Sequence, residues 1–550
     1  MNGAELVAEI LKREQTEFLS CYPRNPVIEA CAELNIRPIL CRQERVGVGI
    51  ADGYSRVKRG KSNGVFAAQA GPGIENAFPG VAQAYSENVP ILILPGGMGD
   101  ERQYRHPTFS AVDVFAPVTK WAARAHSVTA IPPLLRQAYH AMRTGKGGPV
   151  LVEIPPEVWD QEFKGDLNYD PVKPLLLAPD TAAVVEAARL LIEAKNPILW
   201  AGQGVLYAEA SDLLVELATL IPAPVMTTNP GKSSFPENHP LALGASTRSR
   251  PRMLVEFMKK ADLVFAVGSS LTQTNFGPKL PPGKQLVHST NDPSDVNKDY
   301  CADHAVIGDS KLVLASLISE IKRQRSDKDN HRVFEKLSGE VKRVKKSWKE
   351  DWADQRNSNE VPINQYRVIQ DLMDTVDRDN VIITHDSGSP REQLIPTWEC
   401  TVPGSYMGWG KSTQLGYGLG INMGAKLAAP EKLCINIMGD AAIGMTGMDL
   451  ETAARNDIAI LTIVFNNNVM AAERDVLVTA TKKYGAMNVG GNYTKVAEGL
   501  GVQSKRIEEP ADFIPALDIA QEVTKSGKPF LLECVVKEGY EFSRDTLPGL

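Results

Sequence analysis

The sequence lacks any apolar run that approaches the ~18–20 residues a membrane-spanning helix needs. It also lacks an excess of basic residues, since its net charge is −6 at pH 7 and its isoelectric point is about 5.9. A nucleic acid or an anionic membrane is disfavoured as a partner, because both call for a basic face. The first residues, MNGAELVAEILKREQTEF, predict an amphipathic helix rather than a signal peptide. We therefore expect a cytoplasmic protein.

Cysteine is scarce and scattered. The seven cysteines are odd in number and form no CxxC pair, which argues against a disulfide framework and against a zinc site. We expect reduced thiols at Cys21, Cys31, Cys41, Cys301, Cys400, Cys434 and Cys534.

Short apolar runs alternate with helical patterns along the whole chain. Typical runs are PILILPGG, GPVLVEIP, DLVFAVGSS, NVIITHDSG and AILTIVFNNN, each of which ends in Gly, Asp, Asn, Ser or Pro. Fully apolar runs separated by helices indicate buried parallel strands, so we predict an α/β fold.

Two segments break this alternation. Residues 155–180 are rich in Pro and Asp and predict a linker, and residues 322–360 are dense in charge and predict a solvated helix between domains. A chain of 550 residues should hold about three domains at roughly 100–200 residues each. We predict three domains with parallel-sheet cores at 1–165, 180–325 and 360–550.

One strand-helix-strand unit carries polar residues at both ends. KLCINIM predicts a strand that ends at Gly439-Asp440, and AILTIVF predicts the next strand, which ends at Asn466-Asn467. A right-handed crossover brings the carboxyl ends of both strands to the same edge of the sheet, where open α/β sheets bind ligands. Carboxylate, amide and backbone carbonyl oxygens suit Mg²⁺ or Ca²⁺. The alternative is an ordinary crossover with turn residues at its ends.

The spacing from Gly-Asp to Asn-Asn resembles the signature of thiamine-diphosphate-dependent enzymes. The resemblance implies that Asp440, Asn467 and the carbonyl of Val469 bind Mg²⁺. It also implies a first domain that binds the pyrimidine ring, a central domain, and a third domain that binds the diphosphate.

The first block contains CRQERVGVGIADGYSRVKRG followed by AAQAGPGIENAFPGVAQAYSENVPILILPGG, which resembles the pyrimidine-binding domain of the acetolactate synthase superfamily. The resemblance makes Glu44 the catalytic glutamate that bonds the aminopyrimidine ring. Leu415 falls where a large aliphatic residue lies under the cofactor, and Ser389 replaces a glutamine of the synthase pattern. The implied cofactor-binding residues are Gly71, Pro72, Asn76, Ser389, Leu415, Gly439, Asp440, Ala441, Ala442, Asn467, Val469 and Met470.

Departures from the synthase pattern bear on the reaction. The Gln-x-Trp that follows the paired asparagines in acetolactate synthases is absent, and Phe109-Ser110-Ala111 stands in place of Phe-Gln-Glu. GDAAIGMTGMDLETAARNDI and THDSGSPREQ are most similar to the 2-hydroxyacyl-CoA lyase (actinobacterial type) and oxalyl-CoA decarboxylase branch. The resemblance implies cleavage of a 2-hydroxyacyl-CoA to formyl-CoA and an aldehyde or ketone. An acetolactate synthase-like carboligase or a 2-oxoacid decarboxylase is the alternative.

Glu473 lies six positions after Asn467, where relatives similar to pyruvate decarboxylase carry a catalytic glutamate. A carboxyl partly buried near the cofactor can have its pKa raised toward neutrality and move protons there. The alternative is a glutamate at a helix start that pairs with Arg474 or another neighbour.

The central block offers a weaker hint of ligand binding. GASTRSRPRM contains Arg248, Arg250 and Arg252, which can clamp the phosphates of coenzyme A or simply belong to a solvated loop. Gly202 and Gly204 can touch a nucleotide such as ADP or FAD, or simply make a turn. The family also builds each site between two subunits, so we expect a homodimer or homotetramer. The remaining alternative is a non-catalytic relative that keeps the fold as a nucleotide- or flavin-binding regulator.

Overall fold

The computed structural model of the chain describes residues 1–325, 330–474 and 476–545. These residues form three six-stranded sheets in which every strand pairing is parallel, so the predicted α/β fold with parallel-sheet cores is confirmed. The predicted domain boundaries stay predictions, and the last five residues of the third domain lie outside the described residues. No helix within the described ranges is long and apolar enough to cross a membrane.

The first sheet has the strand order β2-β1-β3-β4-β6-β5. Its strands β3 and β4 are fully buried, as expected for a sheet covered on both faces. The strands are β1 (Phe18–Cys21), β2 (Arg37–Leu40), β3 (Gly64–Ala68), β4 (Ile91–Pro95), β5 (Trp121–Arg124) and β6 (Val150–Glu153). The helices are α1 (Gly3–Arg13), α2 (Val27–Glu33), α3 (Glu44–Val57), α4 (Pro72–Ser86), α5 (Ala111–Phe115), α6 (Ile131–Arg143) and α7 (Pro156–Trp159).

The central sheet has the order β12-β11-β10-β7-β8-β9. Its strands are β7 (Pro197–Ala201), β8 (Val225–Thr227), β9 (Ala242–Ala245), β10 (Leu263–Val267), β11 (Gln285–Thr290) and β12 (His304–Ile307). The helices are α8 (Thr181–Glu193), α9 (Gly204–Tyr207), α10 (Ser211–Leu220), α11 (Arg252–Lys260), α12 (Ser310–Gln324), α13 (His331–Asp351) and α14 (Ala353–Arg356). Helix α13 is not simply solvated, because it buries Val341, Val344 and Trp348 in a hydrophobic cluster of this domain.

The third sheet has the order β14-β13-β15-β16-β18-β17. Its strands are β13 (Val381–His385), β14 (Tyr406–Met407), β15 (Leu433–Gly439), β16 (Ile460–Asn466), β17 (Gln503–Ile507) and β18 (Phe530–Val535). The helices are α15 (Gln365–Thr375), α16 (Ser389–Thr397), α17 (Tyr417–Ala428), α18 (Asp440–Thr446), α19 (Leu450–Arg455), α20 (Val478–Tyr484), α21 (Tyr493–Gly499) and α22 (Phe513–Lys525).

Helices α3 and α17 join the first and third domains at backbone distance. A Cβ placed on Gly53 would lie 2.0 Å from the carbonyl oxygen of Ile421, and one placed on Gly424 would lie 2.1 Å from that of Ile50. Only glycine fits at such a crossing. The crossing therefore ties the helix that begins with Glu44 to the domain that carries Asp440.

Candidate active site

Strands β13, β15 and β16 are consecutive neighbours in the third sheet, and polar residues follow each of them. Gly439 is paired in register with Phe465, so Asp440 and Asn467 emerge side by side at the carboxyl edge. The backbone N–H of Asn467 donates to Oδ2 of Asp440 at 3.1 Å. The two ends of the crossover meet in the way the strand pattern predicts.

Asp440 is buried and accepts hydrogen bonds at both its side chain and its backbone carbonyl. Its side chain is almost fully buried, with the residue 3% exposed, and burial raises its pKa, while backbone hydrogen bonds from Ala441 and from residues 467–469 oppose that shift. The N–H of Ala441 donates to Oδ1 at 2.8 Å, and the Tyr493 hydroxyl donates to the Asp440 backbone carbonyl at 3.1 Å. The carboxylate is thus fixed in place by backbone donors.

The three consecutive asparagines have different tasks. Asn466 donates from Nδ2 to Glu533 at 2.7 Å and to the Gly491 carbonyl at 3.0 Å, so it belongs to the sheet core. Asn467 turns toward Asp440, and its Oδ1 accepts the Val469 N–H at 3.1 Å. Asn468, the third asparagine, has a left-handed backbone with a φ of 58° and forms the turn between Asn467 and Val469.

The donor set at this edge fits a hard divalent cation. It comprises the carboxylate of Asp440, the side-chain amide oxygen of Asn467 and the backbone carbonyl of Val469. An oxygen that accepts one N–H keeps a second lone pair, which can bind the cation. Within the described part of the chain, no three His, Cys, Asp or Glu side chains gather into a metal site. The Val469 carbonyl already accepts the Ala471 N–H at 2.9 Å.

Open space lies next to these oxygens. A Cβ added to Gly388 or to Gly439 would meet no atom within 4 Å. Helices α16 and α18 begin at Ser389 and Asp440, so their first N–H groups are directed to this edge, as in phosphate sites at helix N-termini. Ser389 and Ala441 are half-buried, whereas Ala442 packs its side chain into the core, which leaves only its backbone for a ligand.

Asp386 is a site residue that the sequence analysis missed. Its Oδ1 accepts the N–H groups of Ser387 at 2.8 Å and Gly416 at 2.9 Å, and its Oδ2 accepts that of Gly418 at 3.0 Å. Burial raises its pKa to about 6. Asp386 therefore joins the loop after β13 to the loop that carries Leu415. The sequence signal that could have identified it is its position directly after a predicted strand, in HDSG.

Leu415 is half-buried beside the hydrophobic cluster between the first and third domains. The preceding residue, Gln414, donates from its side chain to the Pro79 carbonyl of the first domain. Leu415 is thus held at the domain boundary. Met470, another predicted cofactor residue, is half-buried and donates its N–H to the Met487 carbonyl at 2.9 Å.

Glu44 is the first residue of α3 and is 4% exposed. Burial raises its pKa, and hydrogen bonds from its own N–H and from the Asn76 side chain counter that effect. Glu44, Pro72 and Asn76 line one open cleft, together with Met445 of the third domain. The structure therefore brings three predicted residues together, and Gly71, directly before Pro72, has a φ of 66°.

Glu473 differs from the other predicted acids. It ends a 3-10 helix at Ala471–Glu473 and is exposed on the chain, so the partial burial expected for it is not met within one copy. Arg474 forms its ion pair with Glu538 at 2.5 Å. The alternative pairing of Glu473 with Arg474 therefore receives no support.

The three central arginines differ in their surroundings, and their predicted role in binding phosphates stays a prediction. Arg252 forms ion pairs with Asp351 and, at 3.8 Å, with Asp545, and it donates to the Ser347 hydroxyl at 2.9 Å. The Arg250 backbone N–H donates to the Ser543 carbonyl at 2.8 Å, and Arg248 lies over the Phe542 ring. Arg252 therefore has structural partners in α13, whereas Nε of Arg250 is buried without a hydrogen-bond partner among the described residues.

A second cavity, of about 430 Å³, lies where the three domains meet. Gly202 and Gly204 line it, as do residues of the first and third domains, but the three central arginines do not. The glycine pair serves backbone packing, because a Cβ on Gly202 would lie 2.3 Å from the carbonyl oxygen of Gly268 and one on Gly204 would lie 2.8 Å from the Cα of Gly268.

The chain is similar in sequence to known proteins. Three family models match the chain, namely the N-terminal TPP binding domain of thiamine pyrophosphate enzymes over 1–116, the central domain over 184–317 and the C-terminal TPP binding domain over 386–534. A "Probable acetolactate synthase large subunit" of Methanococcus aeolicus is 29% identical over 98% of this chain and 92% of its own. The "Glyoxylate carboligase" of Escherichia coli O157:H7 is 26% identical over 91% of this chain and 87% of its own.

The fold and the strand-edge site define a three-domain α/β enzyme with a site for a cofactor. Together the three family models match most of the chain. The chain belongs to the thiamine pyrophosphate enzymes, and its homologues include acetolactate synthases and glyoxylate carboligase.

Proposed function

We propose that the protein is a thiamine-diphosphate- and Mg²⁺-dependent carboligase of the acetolactate synthase type that acts on small 2-oxoacids. The observation that carries the proposal is the meeting of Asp440 and Asn467 beside the open space at Gly388 and Gly439. Relatives named as acetolactate synthase and glyoxylate carboligase, which match nearly the whole chain, support it.

The residues at the strand edge would hold the cofactor's anionic end. Asp440, Asn467 and the Val469 carbonyl would bind Mg²⁺, and the backbone at Gly439, Ala441 and Ser389 would approach the diphosphate. When bound, thiamine diphosphate supplies a carbon that adds to a carbonyl group and stabilises the negative charge left after bond cleavage.

Glu44 would exchange a proton with the aminopyrimidine ring. Its raised pKa favours a carboxyl that can hold a proton, and its single side-chain partner, Asn76, leaves the carboxyl free to face a ligand in the cleft. Leu415 would support the cofactor between the two domains.

A second copy of the chain would complete the site and partly bury Glu473, as in a homodimer or homotetramer. Large apolar side chains near the site are exposed on the single chain, among them Met445 (49%), Met448 (54%), Val476 (72%) and Tyr484 (82%). Exposed apolar patches of this kind mark interfaces. Glu473 follows the Asn467 turn and would then move protons at the reacting carbons.

Cleavage of a 2-hydroxyacyl-CoA to formyl-CoA and an aldehyde or ketone is the second candidate. Phe109-Ser110-Ala111 and the absence of Gln-x-Trp favour it, because both depart from the synthase pattern. The ion pair of Arg252 with Asp351 weighs against it, since that guanidinium already has a carboxylate partner. ADP or CoA in the central domain would then have to bind in the cavity among the three domains.

One assay separates these functions. The purified protein, supplied with thiamine diphosphate and Mg²⁺, is given pyruvate, glyoxylate and a panel of 2-hydroxyacyl-CoAs. The carboligase proposal predicts CO₂ release with a condensed product, a hydroxy-ketone from pyruvate or a hydroxy-aldehyde from glyoxylate, and no formyl-CoA. Formyl-CoA release without condensation would establish the second candidate instead, and failure of thiamine diphosphate to bind would overturn both.

A further inference from the structure

A buried carboxylate at the end of α4 holds a loop of another domain. Glu87 directly follows α4 in the first domain and is 0% exposed. Its Oε1 accepts the backbone N–H groups of Gly410 and Lys411 of the third domain, at 2.8 and 2.7 Å. Hydrogen bonds to a charged acceptor are stronger than those between neutral groups. Glu87 therefore fixes the backbone of the loop between β14 and α17, which is the loop that carries Leu415.

Glu87 belongs to one stripe of α4 that contacts this loop. Oε1 of Gln83 accepts the Gln414 N–H at 3.4 Å, and the Pro79 carbonyl accepts a hydrogen bond from the Gln414 side chain. Pro79, Gln83 and Glu87 are spaced four residues apart, so they lie on the same face of the helix. Asn76, which lines the cleft of the first domain, comes three residues before Pro79 on that face. The loop is thus attached along the length of a helix that also reaches the cleft.

An opposite charge holds the beginning of the loop. The side chain of Arg56 in α3 is 8% exposed, and its Nη1 donates to the Gly408 carbonyl at 3.0 Å. Burial works to lower the pKa of Arg56, but the neighbouring acids, chiefly Asp52 and then Glu87, raise it overall. A cation therefore binds a carbonyl of the loop, and an anion binds the N–H groups two and three residues further on. Each charge binds the backbone group of complementary polarity.

The end of the loop is held from within the third domain. Asp386 accepts the N–H groups of Gly416 and Gly418, at 2.9 and 3.0 Å. Leu415 therefore lies between residues 408–411, which the first domain holds, and a segment that the third domain holds. Its position depends on both sets of hydrogen bonds.

We propose that Glu87 is a positioning residue of the cofactor site, which sets the place of Leu415 by fixing the backbone at Gly410 and Lys411. The inference rests on the proposed function, in which Leu415 supports thiamine diphosphate. Glu87 is not among the described residues that line the cleft at Glu44. It acts through the loop and does not touch the cofactor.

Only one carboxylate oxygen of Glu87 serves the loop. Its Oε2 is buried without a hydrogen-bond partner among the described residues. An amide at this position can therefore keep a carbonyl oxygen for both N–H groups and place its nitrogen where Oε2 lies. Glu87→Gln thus removes the charge and keeps the acceptor, whereas Glu87→Ala removes both.

The test compares Glu87→Ala with Glu87→Gln in the full chain. Glu14→Ala is the matched control, because Glu14 is also a buried acid of the first domain, and its Oε1 accepts the N–H of Val172 in the predicted linker at 3.0 Å. Exchange of the cofactor C2 proton in D₂O reports activation of bound thiamine diphosphate, and titration calorimetry gives its affinity. Hydrogen exchange of a peptide over 408–418, followed by mass spectrometry of the cofactor-free protein, reports the order of the loop.

We expect Glu87→Ala to slow C2 exchange by about 10–100-fold, because a small displacement of a group at the reacting centre can cost that much. It should also speed hydrogen exchange of the 408–418 peptide. Glu87→Gln should restore most of both, and Glu14→Ala should change neither. In the Leu415→Ala background, Glu87→Ala should add little to the loss of C2 exchange, because residues that act through one another are not additive.

Wild-type C2 exchange in Glu87→Ala would overturn the proposal, as would unchanged hydrogen exchange of the loop or a double variant whose two losses multiply. A Glu87→Gln variant as defective as Glu87→Ala would also overturn it, because the acceptor is then present. If Glu87→Ala melts below the assay temperature, Glu87→Asp replaces it, because that variant keeps the charge and withdraws the oxygen from the loop. Failure of the wild type to bind thiamine diphosphate would overturn the proposed function, whereas hydrogen exchange would still decide whether Glu87 fixes the loop.

Discussion

Glu44 and Asp440 are both buried carboxylates at the first residue of a helix, and burial raises the pKa of both. They differ in their partners. Asp440 accepts hydrogen bonds from backbone N–H groups of two loops, whereas the one side-chain donor to Glu44 is Asn76. Backbone donors stabilise the charged form and hold it rigid, which suits a metal ligand. A carboxyl with a single side-chain donor is less strongly held in its charged form, which suits proton exchange.

The largest effect should come from Glu44→Gln. An amide keeps the shape of the side chain but cannot exchange a proton with the ring, so turnover should fall by about 10²–10⁴-fold. Binding of thiamine diphosphate and Mg²⁺ should remain. Glu75→Gln, which changes another acid of the same cleft, is the control. Wild-type exchange of the cofactor C2 proton in Glu44→Gln would refute the assignment.

Asp440→Ala should instead remove the cofactor. The cation loses its charged protein ligand, so the affinity for thiamine diphosphate with Mg²⁺ should fall by about 100-fold or more. Titration calorimetry with and without Mg²⁺ measures the loss, and Asp440→Asn should fall between wild type and Ala because it keeps an oxygen ligand. Unchanged affinity in the Ala variant would show that the metal site lies elsewhere.

Glu473→Gln tests whether an acid that is exposed on one chain becomes catalytic in the assembly. We expect turnover to fall by about 10²-fold while cofactor affinity stays the same. Glu538→Gln is the matched control, since Glu538 is also exposed and pairs with the adjacent Arg474. Normal turnover together with normal C2 exchange would make Glu473 a structural residue, and sedimentation of an active monomer would exclude completion of the site by a second copy.

Asn76→Ala sharpens the comparison by removing the side-chain donor to Glu44. That hydrogen bond lowers the pKa of Glu44, so its loss should raise the pKa further. The acidic limb of the kcat/KM profile should then move to higher pH. A limb at its wild-type position would show that Glu44 does not govern the profile.

The smallest effect concerns Asp449, a third buried acid near α18, whose pKa burial raises to about 6. Because the pKa of this acid is higher in the folded than in the unfolded protein, the free energy of unfolding decreases as pH rises, here between about pH 4 and pH 6. In Asp449→Asn that loss should shrink by about 1–3 kcal/mol. Urea unfolding across this range measures it, with the exposed Asp457→Asn as control. Parallel curves for Asp449→Asn and wild type would contradict the cause.

The sequence was most informative where local pattern and topology agree. The strand runs predict parallel sheets, and the crossover rule then brings Asp440 to Asn467 without further knowledge. Pattern alone does not tell Asn466 from Asn467, because the difference depends on Glu533, which lies in another strand.

Long-range partners account for the rest. Arg252 looked like part of a clamp because its neighbours in sequence are basic, but it binds Ser347 and Asp351 of α13. The surroundings of Glu473 depend on what covers it, which a single chain does not reveal. The cavity between the domains follows no sequence motif, because its lining residues come together only after the three domains pack.

The glycine contact between α3 and α17 has a consequence for biosynthesis. About 360 residues separate the end of α3 at Val57 from the start of α17 at Tyr417. Translation at about 5–20 residues per second needs tens of seconds for that stretch. Throughout this time the glycine face of α3 has no partner helix, so every nascent chain passes through an interval in which a chaperone or another nascent chain can occupy that face.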